Sequence, residues 1–293
     1  MPVSTVCEGQ HSIFVRIRKL MSRLKISAIS YLNTAPLLWD FEHGKAGADF
    51  DISYTIPSAC AEALRSGTAD IGIIPAAAYA TIPDLVIIPD IAIATKRAIR
   101  SILLVSKLPL GRVQSVALDR SSMTSVALAK ILFAKWLGGP KEYVSMAPDL
   151  KSMLGACDAA LLIGDPALQI DRKEYLTLDL AEEWNARTGR AFVFAVWAIR
   201  RQALSGRDAH LISDKFLKSR DHGLKAKNLE VIVQGWAPRL ALSPESIRTY
   251  LTQNVHYYLD PPCLEGLKLF YRYGAELGAL PPAPALRYAA RIE

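Results

Sequence analysis

Apolar and polar positions alternate in short blocks along this chain, and the block lengths predict its elements. "LKISAI" (24–29) has the continuous apolar character of a buried strand. "PLLWDFEHG" (36–44) predicts a short helix, with Pro36 suited to the first turn and Gly44 to the C-terminal cap. A strand follows at 49–55. A helix at 57–67 puts Cys60, Ala63 and Leu64 on one face, and another strand covers 69–75. The rhythm returns later, with strands at 115–119, 142–147, 158–165 and 191–199 and helices at 124–139 and 149–157. From about residue 203 the pattern turns helical: Ser243 can cap a helix with Pro244 at its first position, and a last helix starts near Pro261-Pro262.

Strand–helix alternation of this kind argues for parallel sheets covered by helices. Two such sets occupy roughly 24–100 and 106–165, followed by a long apolar strand and a helical tail. The pattern predicts an α/β protein of two lobes, the chain crossing near 101–106 and returning near 195–200. Residues 23–104 and 197–293 then form one lobe and 105–196 the other, with residues 1–22 as a loose N-terminal extension. Ligands of such folds sit in the cleft, at strand C-termini and helix N-termini.

Composition narrows the classes. The 293 residues suffice for a sizeable core, with 51% hydrophobic and 22% charged residues. The net charge of +7 is spread along the chain apart from a cluster at Arg16, Arg18, Lys19, Arg23 and Lys25. No nucleic-acid-binding motif accompanies it, so no nucleic-acid partner is expected. Cys7, Cys60, Cys157 and Cys263 form no CxxC pair and read as reduced, buried thiols. His11, His43, His210, His222 and His256 share no ligand spacing, so no metal is expected. No stretch has the length of a signal-peptide core or a membrane span. The expectation is a cytoplasmic protein without a membrane partner, for which Met21 is a second candidate start.

Common catalytic signatures are absent: there is no GxGxxG after a strand, no phosphate-binding GxxxxGK[ST], no GxSxG and no HExxH. Instead, small polar clusters occupy two strand-to-helix turns. Ser30-Tyr31-Leu32-Asn33-Thr34 follows the first strand, and Ser121-Ser122-Met123-Thr124-Ser125 follows the strand at 115–119. Hydroxyls and free N–H groups at a helix start suit an anion, although Ser and Thr cap helices whatever the function. Gly164 and Asp165 stand at the end of a third strand, where Asp165 either caps the next segment or faces the cleft.

Five segments carry a resemblance: "SYLNTAPL" (30–37), "ADIGIIP" (69–75), "VALDRSSMTSVALAKIL" (116–132), "DAALLIGDPAL" (158–168) and "TGRAFVFAVWA" (188–198). In this order they resemble the chorismate dehydratase family of the futalosine route to menaquinone. The resemblance covers residues 24–200 closely and the helical tail loosely. It implies a fold like type II periplasmic binding proteins and a reaction needing no cofactor, in which chorismate, a dicarboxylate, loses water to give 3-[(1-carboxyvinyl)oxy]benzoate. It implies a catalytic role for Asn33, with the substrate's own enolpyruvyl carboxylate taking the C3 proton. Asn33 would hold that carboxylate or assist the departing hydroxyl. Substrate contacts are expected from Ser30, Tyr31, Thr34, Ser101, Ser122, Thr124, Ser125, Gly164 and Asp165. One departure stands out: many relatives have Ser and Glu where this chain reads "PAAAYA" (75–80), so Ala76 and Ala78 offer no side-chain hydrogen bond. The alternatives share the fold: the sibling 1,4-dihydroxy-6-naphthoate synthase, and a binding protein that carries a small acid without chemistry. A ligand-sensing domain of a regulator would need a DNA-binding module, for which residues 1–22 are too few. The sequence leaves oligomeric state open.

Overall fold

The structure, a computed structural model, describes residues 23–289; the extension expected over residues 1–22 lies outside them. Ten strands are found among the described residues: β1 Leu24–Ile29, β2 Phe50–Thr55, β3 Ile71–Pro75, β4 Leu85–Thr95, β5 Ile102–Ser106, β6 Ser115–Asp119, β7 Glu142–Met146, β8 Ala159–Ile163, β9 Leu176–Asp179 and β10 Phe192–Arg200. They form two five-stranded sheets, ordered β2-β1-β3-β10-β4 and β7-β6-β8-β5-β9. In the first, β1 runs parallel to β2 and β3, while β10 is antiparallel to β3 and β4. The second repeats the plan: β6 is parallel to β7 and β8, and β5 is antiparallel to β8 and β9. Each sheet therefore takes its antiparallel strand directly from a crossover out of the other sheet.

Both inserted strands are buried almost throughout, which explains their unbroken apolar runs. The same burial hides the hand-over from sequence. The chain leaves the first sheet between Thr95 and Ile102 and returns between Thr188 and Phe192, so the expected boundaries after residues 104 and 196 fall inside β5 and β10. β4, the longest strand, is absent from the periodicity reading because Pro89-Asp90 interrupts it; Asp90 has φ 59°, and β10 answers with two register shifts.

The helix expected at 36–44 is instead a 3-10 helix, Leu32–Leu38, running into one α turn, Trp39–Glu42. The turn tightens early because Thr34 satisfies the strand end itself. Its N–H donates to the Tyr31 carbonyl at 3.0 Å, and its hydroxyl lies 2.6 Å from the carbonyls of both Ile29 and Tyr31. Pro36 thus sits inside the helix, and Asn33 belongs to its first turn rather than preceding it. Helix Ala209–Gly223 packs against this turn. A Cβ on Gly223 would lie 2.1 Å from the Pro36 carbonyl oxygen, so the approach requires glycine. The tail's expected cap is present, Ser243 accepting from the Ser246 N–H at 3.1 Å, and the last helix has a cap that was not foreseen, Asp260 accepting from the Cys263 N–H at 3.1 Å. Cys60, Cys157 and Cys263 are free and buried. No helix among the described residues is long and apolar enough to cross a membrane.

Candidate active site

The C-terminal ends of β1, β2 and β3 face those of β6 and β8, and between them lies a cavity of about 50 Å³, partly open to solvent. This is the crevice at the carboxyl edge where open α/β sheets bind ligands. Its wall is mainly apolar, with Ile29, Pro57, Pro75, Ile93, Ile163 and Phe194 contributing. Tyr31 and Asn33 enter from the first polar turn, Ser122, Thr124 and Ser125 from the second, and Gly164 from the end of β8. Among the described residues no Asp, Glu, His, Lys or Arg lines it.

The second turn is a helix start. Helix Thr124–Trp136 aims its N-terminus at the cavity, and the Ser122 hydroxyl accepts the Ser125 N–H at 3.2 Å, leaving the Ser122 hydroxyl hydrogen to donate. Thr124 is committed elsewhere: its hydroxyl donates to the Phe194 carbonyl at 3.0 Å and accepts from the Ala77 N–H at 3.1 Å. It ties the second polar turn to the first sheet. The Ser58 N–H, which donates to the Ser121 carbonyl at 3.0 Å, does the same.

Asn33 carries the oddest polar atom. Its Oδ1 is buried without a partner at the cavity wall, whereas buried amide oxygens are ordinarily satisfied. Tyr31 packs its ring on Gly164, whose φ is 63°; a Cβ there would lie 2.6 Å from the Tyr31 ring. Burial raises the Tyr31 pKa, opposed by a hydrogen bond with the Ser121 side chain. Ser121 leads on to Asp119, which is wholly buried. Asp119 Oδ1 accepts the Ser121 N–H at 2.9 Å and its hydroxyl at 2.7 Å, and burial raises this carboxyl's pKa.

Four other expected contacts stand outside the wall. Ser30 is exposed, because its place at the end of β1 turns it toward solvent. The Thr34 hydroxyl is spent on the turn itself. Ser101 is fully buried behind the cavity and accepts from the Tyr250 hydroxyl at 2.9 Å. Asp165 neither caps its own helix nor lines the cavity. It reaches across to the other sheet's turn and accepts the Leu32 N–H at 3.0 Å. Burial pushes its pKa up to about 6, with the Leu32 hydrogen bond opposing. Ala76 and Ala78 are completely buried and do not line the cavity, so the polar groups missing there are not missing from its wall.

Tyr250 is the residue that sequence reasoning missed. It lies in the tail, in a single π-helical stretch, Tyr250–Asn254, with no local pattern to mark it. The closest set of metal-type ligands among the described residues, His256, Asp260 and Cys263, lies outside the cavity wall. Asp260 is already held there by Lys96 at 2.6 Å and by its role as a helix cap.

Comparison with known proteins agrees with this picture. A family model described as menaquinone biosynthesis matches residues 24–276. The chain is 31% identical to the chorismate dehydratase of Thermus thermophilus over 276 residues, covering 87% of this chain and 94% of that protein. It is 30% identical to the chorismate dehydratase of Campylobacter jejuni over 162 residues, covering 54% of this chain and 57% of the other. Among solved structures, a protein of Archaeoglobus fulgidus aligns with TM-score 0.69 at 16% identity, covering 88% of this chain and 98% of that one. The aliphatic sulphonate binding protein of Escherichia coli aligns with TM-score 0.61 at 16% identity, covering 90% and 95%. The likeness to these two shows the fold, that of periplasmic binding proteins. With the model match spanning nearly all the described residues, the chain belongs to the menaquinone biosynthesis family.

Proposed function

We propose that this protein is an enzyme that dehydrates chorismate to 3-[(1-carboxyvinyl)oxy]benzoate in menaquinone biosynthesis. The observation that carries the reading is the unpartnered Asn33 oxygen beside a largely apolar cavity flanked by a hydroxyl-bearing helix start. Among the described residues the wall has no carboxylate or imidazole to serve as base. A substrate that brings its own base suits such a site. The enolpyruvyl carboxylate takes the C3 proton, the C3–H electron pair becomes a ring double bond, and the C4–O bond breaks. The proton and the departing hydroxide leave together as water, and the ring becomes aromatic. The protein's part is to hold the carboxylate against C3 and exclude solvent.

The roles divide accordingly. Ser122, Ser125 and the N-terminus of helix Thr124–Trp136 hold a carboxylate by hydroxyl and backbone N–H groups. Asn33 presents its side-chain amide to the reacting centre, where its N–H can donate to the departing C4 hydroxyl. Tyr31 and Gly164 form the wall that closes over the ring. Ser101, Thr34 and Asp165 act from behind the wall. The two sheets serve as the lobes that shut on the substrate, and a small soluble metabolite is consistent with a cytoplasmic site of action.

The test is incubation of the purified protein with chorismate alone, followed by chromatography and mass detection. A product lighter than chorismate by one water, with the enolpyruvyl group retained, is expected. Unchanged chorismate, with turnover of the sibling naphthoate synthase's substrate instead, would replace this reading.

A further inference from the structure

Asn33 and the hydroxyl-bearing start of helix Thr124–Trp136 stand on different lobes, one after β1 and the other after β6. Their separation is set by what crosses the seam between the two sheets, and each polar turn is held from the opposite lobe. The second turn is tied to the first lobe through Thr124 and Ser121, whose partners are Phe194, Ala77 and Ser58. The first turn is tied to the second lobe by residues 164 and 165.

The 3-10 helix Leu32–Leu38 begins without a cap of its own: the residue before it, Tyr31, accepts no capping hydrogen bond, and its first turn has no acid. The first N–H groups of a helix have no partner within it. For Leu32 the partner comes from 133 positions away, where Asp165 takes the N–H on Oδ1 at 3.0 Å and on Oδ2 at 3.4 Å. Asp165 lies in the short helix Gly164–Leu168 and caps nothing there. That helix is fixed to the crossover into β5, because the Gly164 N–H donates to the Ser101 carbonyl at 2.8 Å. Gly164, at φ 63°, also brings its backbone against the Tyr31 ring. Residues 164 and 165 thus face residues 31 and 32 across the seam, and Asn33 is the next residue of the chain. Burial raises the Asp165 pKa to about 6, so the carboxylate is kept here against its preference for water.

We propose that Asp165 is a positioning residue for Asn33: by accepting the Leu32 N–H from the opposite lobe, it caps the 3-10 helix that carries Asn33 and sets that residue against the hydroxyl-bearing second turn. Closure of the lobes and placement of Asn33 are then one event, because the cap exists only while the lobes are together. The inference rests on the dehydration reading for its catalytic weight and on the contacts across the seam for its geometry.

Two readouts test it. In the first, Asp165→Ala and Asp165→Asn are assayed with chorismate, alone and combined with Asn33→Ala. Asp165→Ala removes the acceptor but also a buried charge, so its two effects on stability oppose. Asp165→Ser, whose hydroxyl is one bond shorter and falls short of Leu32, takes its place if the alanine variant does not fold. A catalytic group misplaced by about 1 Å costs up to about a hundredfold. Asp165→Ala therefore lowers kcat by about tenfold or more, with KM changed less than about threefold because the second turn is untouched. Asp165→Asn, which keeps an oxygen for Leu32, recovers most of that loss. In the Asn33→Ala background, with no side-chain amide left to place, Asp165→Ala slows turnover by less than about twofold. Wild-type kcat in Asp165→Ala overturns the proposal, as does a full tenfold loss in the Asn33→Ala background or an Asp165→Asn protein as slow as Asp165→Ala. The second readout needs no turnover. The Leu32 backbone amide exchanges its hydrogen about tenfold or more slowly in the wild type than in Asp165→Ala, and Asp165→Asn keeps the protection. Equal Leu32 exchange in wild type and Asp165→Ala overturns the proposal. A wild-type protein inert toward chorismate removes the dehydration reading, while Leu32 exchange still decides whether Asp165 caps the turn.

Discussion

Replacing Asp165 by Asn isolates the cost of holding a carboxylate at the seam between the two sheets. The Asp165 pKa rises from an ordinary 3.8 to about 6 through burial, while the Leu32 N–H still donates to it. A raised carboxyl pKa means that the folded protein binds the proton more tightly than the unfolded chain. The associated stability is therefore fully present below about pH 4 and is lost as pH climbs through about 6. A shift of about 2 units corresponds to about 3 kcal/mol, and partial exposure of Asp165 reduces this to about 1–2 kcal/mol. Asn keeps an oxygen for the Leu32 N–H and has no charge to bury. Asp165→Asn should match the wild type near pH 4 and exceed it by about 1–2 kcal/mol above pH 7, about 2–4 °C in Tm per kcal/mol. Urea unfolding of both proteins at intervals from pH 4.5 to pH 8 reads the difference. A gap that does not change with pH, or a wild type more stable than the variant at pH 8, would refute the reasoning.

Substitutions at three further positions probe the cavity wall and the turn behind it. Gly164→Ala forces a side chain into φ 63° and into the Tyr31 ring, so it should lose about 1–2 kcal/mol and at least tenfold in kcat; wild-type turnover would show that Tyr31 need not pack there. Thr124→Ala strands the buried Ala77 N–H and the Phe194 carbonyl and should cost about 1–3 kcal/mol in urea unfolding, whereas Thr124→Ser, which keeps the hydroxyl, should cost under about 1 kcal/mol. Gly223→Ala, far from the cavity in sequence, pushes a Cβ against the Pro36 carbonyl. It should destabilise the protein by about 1–3 kcal/mol and slow chorismate turnover by displacing the turn that holds Asn33, an effect absent if that turn is rigid.

The parallel strands were legible because each is a short apolar run closed by a turn signal, as at Ile26 to Ile29 and Ile71 to Pro75. The order of strands in each sheet was not, because β5 and β10 enter from the opposite sheet and no local residue records that. Likewise, the two polar turns were legible as candidate ligand sites, since Ser, Asn and Thr at strand ends have few apolar neighbours to suggest a core. Which side chains face inward was decided by the 3-10 turn at Leu32–Leu38, a geometry that Pro36 alone does not disclose. Thr34 turns its hydroxyl back onto the backbone for that reason, while Asn33 beside it lines the wall. Tyr250 was beyond reach because its hydroxyl meets Ser101 from 149 positions away, and tertiary packing leaves no periodic trace at such a separation.

The most direct measurement compares the initial rate of chorismate dehydration by the wild type and by Asn33→Ala, with the product identified by mass and the unfolding midpoint of each protein measured alongside. The account predicts loss of one water by the wild type and a rate lower by about a hundredfold or more in Asn33→Ala at unchanged stability. A folded Asn33→Ala protein that dehydrates chorismate at the wild-type rate would contradict it.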